Sequence, residues 1–518
     1  MVFILLMEKQ SFFNHLRKPA FGWASFFLLT WFWASWWMGD TFRVTRENSF
    51  FAFDTVLLHG IWQQSFGHLW IVGRALLVFF RWPVIGGLLV ASLLTGGSWL
   101  VAYCLRLRPS SRWLFIAFVP AIVWMAWVAW TGLNIYYQAE SGRTLGVLFL
   151  GVLVCMIDAF IIWTFKRKER NHTPSLWSYW SFLFIPFLVL PFAITHLRHP
   201  YQRPYTHMQV QLMNEDWNGV AETAHKNASL SYRPLAADYA IALVHTGHLA
   251  DALFDIRLDY DSLHIRNYSG AGDFASDLYT IDCDYHAGLF RAATHKAVEH
   301  LTMMGPTLFS LKHLTRLALL DYDWDLARKY LFILKKTPFE GDFVKRFEPM
   351  VGHTELVEAD PVFARLRRTE PIADSFESQY ESPAFLGYTT SLMAGRTMDA
   401  LTQSLMACLY SKRMPDFLLR CQPLVGTQPP RSIAEGLVTQ SLKEPDILKA
   451  FPQLQMNAQI YQGFIRSNEA ALRDRPANAR RLFEQYKGYY PYYYFFGNLK
   501  ATRKSDDTST TGWKAGVN

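Results

Sequence analysis

Residues 82–105 read WPVIGGLLVASLLTGGSWLVAYCL, a run of 24 residues without a charged side chain. A helix needs about 20 predominantly apolar residues to cross a bilayer, so this run predicts a membrane span. Four further apolar runs of similar length occur in the first 200 residues, at 22–38, 112–132, 144–165 and 177–195. The sequence therefore predicts a bundle of about five transmembrane helices within residues 21–199.

Basic residues lie in alternate gaps between these runs. They cluster before the first run, between the second and third, and between the fourth and fifth, whereas the gap at 134–143 holds one arginine and one glutamate. Short loops rich in Lys and Arg stay in the cytoplasm during insertion. This pattern predicts that residues 1–20 are cytoplasmic and, because the number of crossings is odd, that everything after residue 199 lies on the outer side.

The segment at 40–81 does not fit this regular pattern. Its two apolar stretches, Phe50–Trp62 and Leu69–Phe80, are each short or interrupted by polar residues. Arg74 lies inside the second stretch, and a buried arginine is costly in a bilayer. We interpret the segment as a partly helical outer loop with interfacial or re-entrant helices, because an extra span here would spoil the charge alternation.

Composition separates an apolar part of the chain from a polar part. Hydrophobic residues make up 51% of the sequence, yet the mean hydropathy is only +0.04, because the polar part dilutes the apolar one. The net charge of +8 is concentrated near the predicted spans, and the mixed charges elsewhere argue against a nucleic-acid partner. Five cysteines, an odd number, indicate no disulfide framework.

Residues 200–500 have the periodicity of short helices separated by turn residues, without sustained strand alternation. Asp216–Ala221 is similar to Asp323–Ala327, and Thr246–Leu253 is similar to Ala394–Leu401. A glycine that ends one helix, followed by small residues on the next helix, is typical of a tetratricopeptide (TPR) hairpin. The predicted fold class is therefore all-α, with the transmembrane bundle followed by a TPR-like α-solenoid at 200–500 and a disordered tail at 501–518.

This arrangement resembles a family of bacterial membrane proteins without an assigned activity, in which N-terminal spans precede a TPR-like region outside the cytoplasm. The resemblance rests on the Thr246–Leu253 turn, on Asp323–Leu331 leading into Lys335–Phe339, and on the aromatic run Tyr489–Phe496. It implies a multi-pass protein of the bacterial cytoplasmic membrane whose C-terminal region is periplasmic. It implies no mechanism.

The common motifs of enzyme chemistry are missing from the sequence. It contains no phosphate-binding glycine loop, no Gly-x-Ser-x-Gly, no His-Glu-x-x-His and no Cys-x-x-Cys, so we predict no cofactor. Asp282 and His286 are the candidate metal ligands, because residues four apart share a face of a helix. Helix surfaces often carry such pairs, and we predict no metal from this one.

Three functions are compatible with these features. The first is a membrane-anchored scaffold that binds another envelope protein on the concave face of the solenoid. The second is a membrane-embedded glycosyl or lipid transferase with Asp40, in the outer loop, as the candidate catalytic residue. The third is a transporter component that uses Asp158, an acidic residue inside the fourth predicted span. We predict the scaffold, with the lipid bilayer and an envelope protein as partners, because a transferase would have more spans and a transporter more intramembrane polar groups.

Overall fold

The computed structural model describes residues 19–107, 112–132, 142–165, 184–260, 274–371 and 397–499. Within these ranges every regular element is a helix and no strand is present, which confirms the all-α class. Several predictions lie outside the described residues, namely the cytoplasmic N-terminus at 1–18, the loops at 134–141 and 166–170, the start of the fifth run, the turn at 394–396 and the tail at 501–518.

Two compact units divide the chain. The first contains Met1–Thr206, Met304–Leu311 and Leu331–Lys345. The second contains His207–Met303, Lys312–Tyr330 and Arg346–Asn518. Two short segments of the predicted solenoid thus belong to the first unit.

The helices of the first unit begin the chain. In order they are α1 Pro19–Phe32, α2 Gly39–Glu47, α3 Thr55–Trp62, α4 Gly67–Val78, α5 Pro83–Cys104, α6 Val119–Thr131, α7 Arg143–Phe165 and α8 Phe184–Arg198. Three helical stretches are long and apolar enough to cross a membrane, and they match three of the predicted runs: Pro83–Cys104, Trp113–Thr131 and Arg143–Thr164. The first and fifth runs contain shorter elements. In the first run, α1 ends at Phe32 and continues as a π-helix at Trp33–Trp37. In the fifth run, the described part begins with α8.

The loop predicted at 40–81 forms α2, α3 and α4, which have 9, 8 and 12 residues. These helices are too short to cross a bilayer. Helix α4 packs closely on α7, since a Cβ atom added to Gly73 would lie 1.7 Å from the Gly142 carbonyl oxygen. A Cβ atom added to Gly146 would lie 2.4 Å from the Leu69 carbonyl oxygen. Glycines four residues apart therefore bring the two backbones together.

The segment Leu331–Lys345 packs against the region of α2 to α5 within the first unit. The backbone N–H of Phe53 donates a hydrogen bond to the carbonyl oxygen of Lys336 at 3.4 Å. The ring of Phe339 lies 4.9 Å from that of Trp82, measured between centroids. The side chain of Lys336 also donates a hydrogen bond to Asp54, which lies 282 residues earlier in the chain. A distant segment of the chain thus completes this part of the first unit.

A buried ion cluster lies at the same contact. Arg46 pairs with Glu47 at 2.6 Å and also with Glu340, and the three side chains are 2%, 6% and 1% exposed. Removing one partner from such a cluster leaves a buried charge uncompensated, which is costly. The cluster therefore specifies how Leu331–Lys345 packs on α2.

Shorter helices follow in the rest of the chain. They are α9 Gln202–Met213, α10 Trp217–Lys226, α11 Arg233–Thr246, α12 Leu249–Ala252, α13 Phe274–His286, α14 Phe290–Met304, α15 Leu308–Leu320, α16 Trp324–Lys335, α17 Gly341–Phe347, α18 Thr354–Ala359, α19 Pro361–Thr369, α20 Met398–Ser411, α21 Met414–Arg420, α22 Arg431–Ser441, α23 Asp446–Ala450, α24 Gln455–Ser467, α25 Glu469–Arg473, α26 Arg475–Tyr486 and α27 Tyr490–Phe496.

The helix boundaries of the second unit follow local sequence signals. Asp216 accepts a hydrogen bond from the Gly219 N–H at 3.0 Å where α10 begins. Asp323 accepts one from the Leu326 N–H at 3.1 Å where α16 begins. Gly247 ends α11 with a φ of +81°, in the left-handed region that glycine adopts without strain. Both acidic residues and the glycine thus mark helix ends, as predicted.

One hydrophobic core in the second unit includes residues from Met208 to Phe496. The C-terminal aromatic run contributes α27 to it, with Tyr490 fully buried. The Tyr490 hydroxyl donates to the Leu409 carbonyl at 3.2 Å, and the Tyr493 hydroxyl donates to the Tyr410 carbonyl at 2.7 Å. The aromatic run therefore belongs to the core.

Candidate functional site

Asp282 and His286, the candidate metal ligands, lie on α13 but contact different partners. Asp282 Oδ1 lies 2.9 Å from Nε2 of His313, and His286 Nδ1 lies 2.8 Å from Nε2 of His245. In the described ranges, no three His, Cys, Asp or Glu side chains are grouped as metal ligands. The structure thus places the two residues in separate side-chain pairs.

Trp217 joins the pair of histidines. Its ring stacks on that of His245 with a centroid distance of 3.8 Å and an interplanar angle of 8°. The ring of His286 meets Trp217 edge-on at 5.8 Å. Three helices, α10, α11 and α13, therefore each contribute one ring to a compact aromatic cluster.

Burial keeps the two histidines neutral. It lowers the pKa of His245 to about 3, with the positive charge of Arg365 as the smaller cause. Burial also lowers the pKa of His286 well below its usual value, helped by the neighbouring His245. At pH 7 one ring therefore donates its N–H to an unprotonated nitrogen of the other.

A small pocket lies beside this cluster. Its lining includes Glu215, Trp217, Tyr285, His286, Arg316 and Arg346. The cavity has a volume of about 30 Å³, above the roughly 10–15 Å³ that one water molecule requires. The pocket therefore has room for one small polar group.

Charged side chains line the pocket. Arg346 binds two carboxylates, with a distance of 2.5 Å to Glu215 and 3.0 Å to Asp360. The guanidinium group of Arg316 lies 5.7 Å from the centroid of the Phe347 ring. The lining residues include two arginines and one glutamate, and Arg346 is also paired with Asp360 behind the wall.

Tyr285 lies between the histidine cluster and the charged groups. Its ring is 4.8 Å from that of His286 and 5.4 Å from that of His313. The residue is 1% exposed, and its hydroxyl has no hydrogen-bond partner in the described part of the chain. Burial raises the pKa of this phenol above its usual value, so it is a neutral donor at pH 7.

Asp40, the candidate catalytic residue of the transferase hypothesis, lies in the first turn of α2 and is half-buried. Its negative charge is close enough to stabilise the charged forms of Arg43 and Arg203. Asp40 is thus part of a charged group in the first unit.

Asp158, the candidate residue of the transporter hypothesis, lies on the exposed side of α7. One turn earlier, the Cys155 carbonyl oxygen lies 3.5 Å from Cys104 Sγ on α5. The structure therefore places Asp40 and Asp158 on different helices. Among the described residues, no hydrogen bond or ion pair joins the two.

The sequence does not predict the places of Tyr285, His313 and Arg316 in this site, nor the pairing of His245. The run from Asp282 to His286 contains the strongest signal, because it concentrates titratable residues within five positions. The partners come from α11 and α15, and no spacing in the sequence relates them to α13.

The described residues define an all-helical protein with three helices long and apolar enough to cross a membrane. Residues 133–497 match the model of a family of unknown function, DUF6057, and the chain belongs to this family. The matched region includes α7, the most apolar of the three long helices, and extends to α27. No curated protein and no solved structure matches the sequence.

Proposed function

We propose that the protein is a membrane-anchored scaffold that binds another protein of the bacterial cell envelope. The observation that carries this proposal is the hydrophobic core of the second unit, to which the short helices before residue 260 and after residue 397 contribute. Stacked helical repeats bury one continuous core and leave extended surfaces that bind proteins. We interpret these helices as a TPR-like α-solenoid with the partner on its concave face.

The proposed topology has five crossings, with α1 and α8 in the first and fifth spans. Three long apolar helices support a membrane location, and the alternating basic loops support a cytoplasmic N-terminus. An odd number of crossings then puts the second unit in the periplasm. The lipid bilayer is the partner of the first unit.

The pocket beside Trp217 is smaller than the pockets of small-molecule ligands. Pockets for cofactors and drug-sized ligands measure about 300–1,000 Å³. The pocket beside Trp217 measures about 30 Å³ and suits a single group at the end of a side chain.

In-cell photocrosslinking tests this function. A photoreactive amino acid replaces Asn218, which is exposed and adjoins Trp217. The matched control carries it at Lys449, whose side chain is 81% exposed on α23. We expect one discrete protein adduct from position 218 and none from position 449. The adduct should form to the same extent when Asp40→Asn and Asp158→Asn are introduced together.

The transferase hypothesis makes the opposite prediction. Under it, no specific adduct forms at position 218, and Asp40→Asn abolishes transfer from a lipid-linked sugar in membranes that contain the protein. That combination would overturn the scaffold. The same double variant tests the transporter hypothesis. Under that hypothesis solute uptake depends on Asp158 and should be lost in the variant.

A further inference from the structure

Two arginines flank the turn that joins α8 to α9 in the first unit. Arg198 is the last residue of α8, and Arg203 is the second residue of α9. The turn between them is tight, because the Gln202 N–H donates a hydrogen bond to the His199 carbonyl oxygen at 3.0 Å. Both arginines are exposed, so an apolar helix ends in a turn with two accessible cations.

Each guanidinium group stacks on the face of a tryptophan ring. Cζ of Arg198 lies 3.6 Å from the centroid of the Trp130 ring, and Cζ of Arg203 lies 3.9 Å from that of Trp37. A stacked guanidinium group keeps its N–H donors at the edge of its plane, where they can bind a further group. Among the described residues, neither guanidinium group forms a hydrogen bond or an ion pair, so these donors have no acceptor there.

The two tryptophans lie where apolar helices end. Trp130 is the next-to-last residue of α6, and Trp37 is the last residue of the π-helix that follows α1. The Trp37 ring also meets that of Phe192 on α8, with a centroid distance of 4.9 Å. Tryptophan rings at the ends of membrane spans lie at the depth of the lipid head groups. In the proposed topology both arginines therefore lie at the level of the lipid phosphate groups.

The nearby carboxylates do not neutralise both arginines. The sequence has no acidic residue from 170 to 214. Asp40 is the carboxylate whose charge acts on Arg203, and it acts on Arg43 as well. Arg198 has no carboxylate within ion-pair distance among the described residues. Arg198 and Arg203 thus have one carboxylate between them, which leaves a surplus of positive charge.

We propose that Arg198 and Arg203 bind the phosphate group of an anionic membrane lipid. A guanidinium group donates two parallel N–H bonds to phosphate oxygens, and the tryptophan beneath it fixes the plane of those donors. The surplus charge favours phosphatidylglycerol, which is anionic, over phosphatidylethanolamine, whose ammonium group cancels the charge of its phosphate. This inference rests on the membrane location in the proposed function and is independent of the protein partner.

Native mass spectrometry of the full chain in detergent tests the inference by counting bound lipids. The probes are phosphatidylglycerol and phosphatidylethanolamine with identical acyl chains, and inorganic phosphate as its ammonium salt. We expect the first molecule of phosphatidylglycerol to bind at least fivefold more tightly than phosphatidylethanolamine. Inorganic phosphate should not bind in the same concentration range, because it has no acyl chains to pack on the apolar helices.

Arg198→Gln and Arg203→Gln should each weaken binding of phosphatidylglycerol about fivefold, the usual contribution of one basic residue at an anionic lipid surface. Both variants should unfold at the wild-type temperature, because both side chains are exposed. Arg198→Lys keeps the charge but loses the planar pair of donors, so it should weaken binding by less than Arg198→Gln does. The control is Arg480→Gln, which removes an exposed arginine of the second unit and should leave lipid binding unchanged.

Three results would overturn the inference. One is equal affinity for the two lipids. Another is wild-type affinity for phosphatidylglycerol in Arg198→Lys or in either glutamine variant, which would mean that no planar donor pair holds the phosphate. The third is inorganic phosphate binding as tightly as phosphatidylglycerol, which would identify free phosphate as the ligand.

An alkaline carbonate wash of the membranes separates this inference from the proposed function. If the wash removes the chain, the membrane anchor and the inference both fail. If the chain stays and the two lipids bind equally, only the inference fails. If phosphatidylglycerol is preferred but no adduct forms at position 218, the scaffold fails and the lipid site remains.

Discussion

The His245–His286 pair makes the second unit sensitive to acid. His245 has an ordinary pKa of 6.5 in an unfolded chain and a pKa of about 3 in the folded one. Protonation therefore favours the unfolded state. The contribution of neutral His245 to the free energy of unfolding is fully present above pH 6.5 and is lost progressively as the pH falls toward 3.

We expect the thermal unfolding temperature of the full chain in nanodiscs to fall between pH 7 and pH 5. His245→Gln should flatten this dependence, because an amide hydrogen-bonds without titrating. His248→Gln is the control, since that side chain is 67% exposed and should not alter the pH profile. Equal profiles for wild type and His245→Gln would refute the assignment.

Only part of this site could be predicted from single residues. The spacing of Asp282 and His286 indicates a shared helix face, and both do lie on α13. Their actual partners, His313 and His245, come from α15 and α11 and depend on how helices pack. Tyr285 has no sequence signal, because the sequence does not distinguish a tyrosine with an unsatisfied hydroxyl from any other core tyrosine.

At the scale of elements, two glycines of α7 allow a matched comparison. Gly146 touches the Leu69 carbonyl of α4, whereas a Cβ atom on Gly151 would meet nothing within 4 Å. Gly146→Ala should force α4 away and cost about 1–3 kcal/mol. Gly151→Ala should be neutral within about 0.5 kcal/mol. Chemical unfolding in mild detergent measures both, and similar losses for the two variants would disprove the close packing.

The ion cluster of Arg46 allows a second test at this scale. Arg46→Met removes the buried cation that Glu47 and Glu340 share, which should cost about 3–5 kcal/mol in the free energy of unfolding. The control is Arg328→Met, because Arg328 and Asp325 form an exposed pair, 61% and 92% accessible, and such pairs contribute little. A loss for Arg46→Met no larger than that of the control would contradict the buried cluster.

Sequence patterns predict local elements better than long-range packing. Hydropathy located three long apolar helices, and acidic residues and glycine located helix ends such as those at Asp216 and Gly247. The placement of Leu331–Lys345 in the first unit was not predictable. It depends on the contacts of Arg46 with Glu340 and of Trp82 with Phe339, and in each pair the two residues are more than 250 positions apart and share no motif.

For the whole molecule, the family match extends from residue 133 to residue 497 and so includes both a long apolar helix and the short helices of the second unit. The family is thus defined over a membrane-compatible region together with the helical region. This combination is what a scaffold anchored in a membrane requires. The transferase and transporter hypotheses both place their chemistry in the first unit, where Asp40 and Asp158 lie on separate helices.

The compartment of the second unit is the most direct test of the scaffold. Two reporter proteins are fused in turn after Asn518 and expressed in bacterial cells. Alkaline phosphatase is active only in the periplasm. Green fluorescent protein fluoresces in the cytoplasm but not after export through the general secretory pathway. Five crossings predict an active phosphatase and no fluorescence. Fluorescence with an inactive phosphatase would show an even number of crossings and would contradict an envelope scaffold.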